Sequence, residues 1–423
     1  MSRAESPLNR KQGVLLCAAL AGLAGWTETH AQESLEAARA TRAYAKNRTA
    51  RYSQGDYNLK AGPIEFSTGA TLGVEYNDNI NTSPTDPESD VIITPFATLS
   101  AVWPITEYNR LSLDTGVGYS LYLENSENNR LQVSPRTSSD ISFDFLVSIF
   151  RFNVHDRFSY SQDPIRNGSV ANTAEFGQFQ NTAGLLTSWE LKDWQFSVGY
   201  DHTLYVYNDS FSNSDRTLHS IFARAGYTFS PALVVGLSSS VGFTKYDEGY
   251  RNDSRNYTVG PFIEWMISRY TSLSVSAGFS KYEIVAAGAI GDTEAPVSFY
   301  ADVEFENSFN EYISQSLALS RRTTESVGIG SSFLESYIAR HNITWDVIKD
   351  VRLSTNLFYE DSKDVGGPRA EKFQRIGAGI SAGYQLTQHL STGLGYDYIT
   401  KDSNIPTQEY DQNRVTLTAN YAF

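Results

Sequence analysis

The sequence predicts an all-β fold, a transmembrane antiparallel β-barrel of about 18 strands, with 16 strands as the alternative. Three observations predict it: apolar residues alternate with polar ones, connections alternate in length, and tryptophans adjoin the short connections. The composition agrees, because the 423 residues include 26 Tyr, 23 Phe and 30 Gly but only 2 Met, which is typical of strands and turns. Beyond residue 25, no apolar run approaches the roughly 18 residues that a membrane-spanning helix needs.

The first 31 residues have the layout of a secretory signal peptide. Basic residues precede an apolar stretch at 13–25, and small residues lead to a cleavage site after Ala31. We therefore expect residues 1–31 to be removed during export. Cys17 is the only cysteine, so the mature chain would carry no thiol, which excludes disulfide scaffolds, thiolate metal sites and cysteine nucleophiles.

Residues 32–62 differ in composition from the rest of the chain. They favour a helix over the first dozen positions and carry six basic side chains against three acidic ones. The sequence predicts a short basic, partly helical periplasmic extension that precedes a barrel domain at 63–423. A mobile tether is the favoured interpretation, and a basic peptide that docks in an acidic lumen as a plug is the alternative.

From Ile64 onward, apolar and polar residues alternate with a period of two, as in a strand with one apolar face. In one of these strands Val198 falls on the apolar face and Ser197 on the polar face. Eighteen such segments follow one another to Phe423, and bacterial single-chain barrels also have even counts. Alternation alone also fits a soluble β-sandwich, because both folds bury one face of each strand.

The connections and the tryptophans favour the membrane barrel. Short turns alternate with long segments rich in Asn, Asp, Ser, Gly and Pro, which predicts short periplasmic turns and long extracellular loops. Indole rings prefer the headgroup level of a bilayer. Each tryptophan beyond residue 31 adjoins a short turn and lies on the apolar phase of its strand. These tryptophans form the predicted periplasmic aromatic girdle: Trp103, Trp189, Trp194, Trp265 and Trp345.

The last strand alternates apolar and polar residues and ends in an aromatic residue. Tyr421 and Phe423 resemble the C-terminal signal that the outer-membrane assembly machinery recognises, which makes that machinery and outer-membrane lipid the expected partners. This strand would also close the barrel against the strand that begins at Ile64.

The opening of the barrel domain resembles a known family. The stretch Lys60–Ile64 leads into Gly73–Ile80 and then Ser89–Pro95, and this order is similar to the start of the second β-barrel porin family. The resemblance implies an outer-membrane location. Because some members are encoded with exopolysaccharide-export machinery, it also implies polysaccharide-export components as a partner class. The family pattern has no catalytic residues to carry over.

Charged residues on the polar phase of the strands are candidates for the lumen wall. Acids outnumber bases on this phase, which predicts a mildly acidic lumen that favours cations. The alternative is that these charges pair with one another and fill the lumen. The candidate lumen charges are Glu65, Glu75, Arg110, Asp114, Asp140, Asp144, Arg224, Glu264, Asp302, Glu304, Arg340 and Arg352.

Other classes of function have little support in the sequence. The net charge of −14 argues against nucleic-acid binding, and no metal-ligand spacing or cofactor motif is present. His155 is the one histidine expected to point inward, and the adjacent Asp156 should point outward, so no catalytic pair is predicted. We expect passive passage of small solutes or an exported polysaccharide; the alternative is a non-conducting structural or adhesive barrel.

Overall fold

The computed structural model describes most of the chain. The described residues are 34–35, 38–43, 57–134, 139–328, 331–367 and 369–423. The predicted signal peptide at 1–31 lies outside them.

Eighteen antiparallel strands form the described barrel. They are β1 (Ile64–Asn77), β2 (Asp90–Pro104), β3 (Arg110–Tyr122), β4 (Arg130–Val133 and Ser139–Val147), β5 (Phe150–Ser161), β6 (Gln178–Leu191), β7 (Trp194–Tyr207), β8 (Arg216–Ser230), β9 (Leu233–Tyr246), β10 (Asp253–Ser268), β11 (Thr271–Ala286), β12 (Val297–Ser308), β13 (Ile313–Glu325), β14 (Phe333–Ile348), β15 (Val351–Val365), β16 (Lys372–Gln385), β17 (Leu390–Ser403) and β18 (Tyr410–Ala422). A short additional strand, Leu59–Ala61, pairs with the start of β1.

The sheet closes on itself through its first and last strands. β1 pairs with β18 from Gly69 opposite Ala422 to Asn77 opposite Arg414. Every other strand pairs with its sequence neighbours, so the closed sheet has no free edge. The predicted all-β barrel is confirmed, with 18 strands and not 16.

β4 differs from its prediction. The alternation of apolar and polar residues predicts a single strand at about 137–149, after a long connection at 124–136. The structure has two pieces, because Arg130–Val133 pairs with the last part of β3 and Ser139–Val147 pairs with its first part. Ser134 has a positive φ of 39° where the first piece ends, and this left-handed conformation interrupts the extended backbone.

The two faces of the sheet differ in polarity. On β7, Val198 and Tyr200 are 44% and 42% exposed on the outer face, whereas Asp201 and Thr203 on the inner face are buried. The same alternation recurs around the barrel. Among the residues that the structure describes, no second sheet covers the apolar face. The alternative of a soluble sandwich is therefore excluded, and acyl chains are the natural solvent for that face.

The connections confirm the predicted alternation. The connections that lead from even- to odd-numbered strands have two to five residues, as at 192–193 and 105–109. Those at the other rim have six to sixteen, and the longest is 162–177 between β5 and β6.

None of the helical residues in the described part of the chain belongs to a helix long and apolar enough to span a membrane.

We expect substitutions on the two faces of β7 to have opposite consequences. Val198→Arg places a charge among acyl chains and should lower the free energy of unfolding in lipid by roughly 2–4 kcal/mol. Ser197→Arg, one position away on the inner face, should change it little. Denaturant titration of both variants in vesicles measures the difference, and equal effects would contradict the assignment of the faces.

Candidate channel lumen

The predicted lumen charges lie on the face of each strand opposite the exposed apolar side chains. They are Glu65, Glu75, Arg110, Asp114, Asp140, Asp144, Arg224, Glu264, Asp302, Glu304, Arg340 and Arg352. Their role in ion passage remains a prediction. The wall around them is rich in small polar residues, as in the inner positions Ser272, Ser274 and Ser276 of β11.

Several of these charges pair with near neighbours on the same wall. Arg224 Nη2 donates to Glu264 Oε1 at 2.5 Å, and its guanidinium lies 3.5 Å from the ring centre of Phe262. Lys60 Nζ lies 2.9 Å from Glu65 Oε1. Other charges have polar partners, since Asn153 Nδ2 donates to Asp144 Oδ1 at 2.6 Å. The structure therefore brings some of the predicted charges together in pairs along the wall.

The five girdle tryptophans all lie at the ends of strands that adjoin short turns. Trp103, Trp194, Trp265 and Trp345 are each 41–46% exposed on the outer face. Trp189 is half-buried, because its ring stacks on Phe196 with centroids 5.4 Å apart. Their depth in a bilayer remains a prediction.

The C-terminal aromatic residues also lie on the outer face. Tyr421 and Phe423 are exposed, and their rings make an edge-to-face contact with centroids 5.1 Å apart. Recognition of this pair by the assembly machinery remains a prediction.

The long connection 162–177 folds into the barrel. Ile165 is buried against Ile399 of β17 and Tyr410 of β18. At the other end of the connection, the Phe176 ring packs against Tyr207 with centroids 5.5 Å apart. The connection leaves β5 and returns to β6, so contacts with β17 and β18 require it to cross the lumen.

An ion pair attaches this connection to the far wall. Arg414 Nη1 and Nη2 lie 3.1 Å from Asp163 Oδ2 and Oδ1, respectively. Burial alone would raise the pKa of Asp163, but the guanidinium groups of Arg414, Arg130 and Arg166 together hold that pKa at about 2. Arg375 Nη1 adds a hydrogen bond of 2.9 Å to the carbonyl oxygen of Ile165.

Two further arginines bind backbone carbonyls of the long connections. Arg130 Nη1 donates to the carbonyl oxygens of Gln162 and Ala174, both at 2.9 Å, and so joins the two ends of connection 162–177. Arg251 donates to four carbonyl oxygens of residues 326–331. Burial lowers the pKa of the Arg251 guanidinium. These contacts narrow the long-loop end of the lumen.

A cluster on β5 and β7 gives His155 a partner that the sequence does not identify. His155 points inward and the adjacent Asp156 points outward, as predicted. The structure places His155 Nε2 3.1 Å from Asp201 Oδ1, across Gly184 of β6, and Arg157 Nη2 3.2 Å from Asp201 Oδ2. A Cβ at Gly184 would lie 2.1 Å from Asp201 Oδ1, so the contact needs glycine there.

This cluster is a network of charged hydrogen bonds. Asn153 Oδ1 lies 2.9 Å from His155 Nδ1, so both ring nitrogens have partners. No three His, Cys, Asp or Glu side chains within the described ranges are arranged to hold a metal ion.

The N-terminal segment also contributes to the lumen. Residues 34–35 and 38–43 are helical, and Ser34, Ala38 and Thr41 are buried against the inner wall. The favoured sequence hypothesis was a periplasmic tether, and the alternative was a lumenal plug. The described part of the segment lies inside the barrel.

Sequence reasoning missed the inward fold of connection 162–177, although a signal for it was available. Ile165, Val170 and Phe176 are large apolar residues within an otherwise polar segment, and each is buried. Apolar side chains in a long connection indicate that it packs on something. Their partners come from distant strands, which period-two alternation does not identify.

We expect Asp163→Asn to loosen connection 162–177. Loss of the charged hydrogen bonds to Arg414 should lower the free energy of local opening by about 1–2 kcal/mol. Because the pKa of Asp163 is depressed, the pair contributes fully above about pH 4 and is lost as the pH falls towards 2. Hydrogen exchange at 162–177 in detergent measures the opening. Asp86→Asn in connection 78–89 is the control, and identical exchange in both variants would contradict the attachment.

Several solved structures are similar to this chain. The BenF-like porin from Pseudomonas fluorescens Pf-5 is 13% identical, with a TM-score of 0.50 over 85% of this chain and 99% of that chain. OpdK from Pseudomonas aeruginosa is 12% identical, with a TM-score of 0.46 over 85% and 99%. OccK2 (OpdF) from Pseudomonas aeruginosa, solved in complex with glucuronate, is 13% identical, with a TM-score of 0.48 over 85% and 98%.

At 13% identity, the likeness to the BenF-like porin concerns the fold alone. A search of the curated proteins gave no match. The family model described as "Putative beta-barrel porin 2" matches residues 58–423, which is the whole barrel with its preceding short strand. The chain belongs to this family of outer-membrane β-barrel porins, as the resemblance of its opening residues indicated.

Proposed function

We propose that the barrel gives passive passage to small polar solutes across the outer membrane. The observation that carries this proposal is the polar inner wall of a closed barrel of 18 strands, a size that leaves an aqueous interior in porins. Backbone groups are paired within the sheet, so the inner side chains are free to contact water and solutes. Export under the control of a signal peptide at 1–31 is part of the same proposal.

The lumen charges support a preference for cations. Glu264 of β10 and Glu304 of β12 are exposed on the inner wall, near the short-turn end. Arg340 of β14 and Arg352 of β15 lie on the adjoining wall. A net acidic wall lowers the energy of a cation in the lumen relative to that of an anion.

An exported polysaccharide is the second candidate for the transported molecule, and only the family association supports it. Polysaccharide-export components would then be partners of the barrel. A sugar chain needs a continuous path through the lumen. Because connection 162–177 crosses the lumen, passage of a polysaccharide would require that connection to move.

The competing function is a non-conducting structural or adhesive barrel. The same loops and ion pairs that narrow the lumen would, in that case, close it. Electrical measurements separate the two functions, because only a water-filled path carries current.

We expect purified full-length protein to produce discrete conductance steps in planar bilayers, with a reversal potential in a KCl gradient that favours K⁺. Glu264→Gln combined with Glu304→Gln should reduce this preference, and Arg340→Gln should increase it, because each changes the charge of the wall. Glu283→Gln, on the exposed outer face, is the control. Absence of steps from well-folded protein would exclude the channel.

A further inference from the structure

We propose that the inner wall of β5–β12 is a docking surface for the N-terminal segment of the same chain, and that this segment is a displaceable plug. The plug helix consists of the described helical residues 34–35 and 38–43. The obstruction rests on the proposed channel function, whereas the docking does not. Every strand from β5 to β12 contributes a contact to the plug helix.

Apolar packing seats the plug helix on β6 and β8. Ala38 is buried against Leu186 and Phe222. The Phe222 ring lies over Gly199 of β7, where an added Cβ would be 2.3 Å from the ring. This apolar seat lies within a polar lumen, and contact with Ala38 removes it from water.

Thr41 completes the charged cluster on β5 and β7. Its Oγ1 donates to Asp201 Oδ2 at 2.7 Å and accepts from Arg157 Nη2 at 2.6 Å. Asp201 is fully buried under this contact. A carboxylate at such a position needs hydrogen-bond donors, and the plug helix supplies one of them.

Arg39 reaches the far side of the docking surface. Its Nη2 donates to Ser276 Oγ of β11 and to Asp302 Oδ2 of β12, both at 2.7 Å. The guanidinium also lies 5.9 Å from the ring centre of Tyr300. Asp302, which the sequence predicted as a lumen charge, is therefore the counter-ion of the plug helix.

Ser34 fixes the direction of the plug helix. Its Oγ donates to Asn256 Oδ1 of β10 at 2.9 Å and lies 3.1 Å from Ser240 Oγ of β9. Thr41 contacts β5 and β7, so Ser34 and Thr41 bind different strands of the wall. The plug helix therefore crosses the strands and occupies space in the lumen beside β5–β12.

Charge complementarity supports this occupant. Residues 32–62 carry six basic side chains against three acidic ones, and one of the six, Arg39, binds the carboxylate of Asp302 on this surface. Connection 162–177 covers β17 and β18 on the opposite side, so the two bodies together narrow the lumen.

A disulfide tests the docking directly. In a Cys17→Ser background, which removes the only native cysteine, Ser34→Cys with Ser240→Cys should cross-link on mild oxidation, because the two Oγ atoms are 3.1 Å apart. Ser34→Cys with Ser381→Cys, on the inner face of β16, is the matched control and should stay reduced. Thiol labelling and mass spectrometry of linked peptides give the result. Equal cross-linking of both pairs, or of neither in folded barrels, would overturn the docking.

Conductance tests the obstruction. Deletion of residues 32–56 should raise the unit conductance at least about twofold, because a helix of about 10 Å diameter leaves the lumen. The cross-linked Ser34→Cys/Ser240→Cys variant should stay at the low level until it is reduced. Asp302→Asn should raise the open probability several-fold. The double variant Asp302→Asn/Arg39→Gln should show no further increase, because both changes remove the same ion pair. Glu283→Gln, on the outer face of β11, is its control.

The two failures are distinguishable. If the deletion variant and the full chain conduct equally, the segment is not a plug, whatever the cross-link shows. If neither conducts although the cross-link forms, the docking stands and the channel function is lost.

Discussion

A bilayer offers no hydrogen-bond partner to the backbone, and this constraint determines the rest of the structure. Every strand must pair on both sides, so β1 has to pair with β18 and the sheet has to close. Closure in turn gives each strand an inner and an outer face, and it separates Val198 from Ser197 although they are neighbours in sequence.

Closure also encloses polar and charged side chains inside the barrel, where those that are shielded from water need hydrogen-bond partners. An inner wall of charged and polar residues needs partners, and at the long-loop end the protein supplies them from its own connections. Arg414, Arg130 and Arg251 bind a carboxylate or backbone carbonyls of these connections, and Thr41 of the N-terminal helix binds Asp201. Polar groups that leave water need such partners, so one network both orders the loops and narrows the passage.

The consequences for function follow from where these partners lie. Near the short-turn end, Glu264 and Glu304 remain exposed on the inner wall. Elsewhere, on β5–β12 and on β17 and β18, the wall is covered by segments that are not strands. Passage therefore depends on the plug helix and on connection 162–177. A few ion pairs and hydrogen bonds hold these two segments to the wall, so their detachment costs much less free energy than opening of the sheet.

The sequence by itself determined the barrel, the facing of Val198 and Ser197, and the alternation of turns and loops, whereas closure of the sheet decided between 18 and 16 strands. A period of two is a local property, and the membrane leaves one arrangement for strands that carry it. Only the tertiary structure decided the break in β4, the pairing of His155 with Asp201, the path of connection 162–177 and the position of the N-terminal helix. Each of these depends on residues far apart in sequence, such as Asp163 with Arg414 and Arg39 with Asp302, which meet only because closure brings their strands around one lumen.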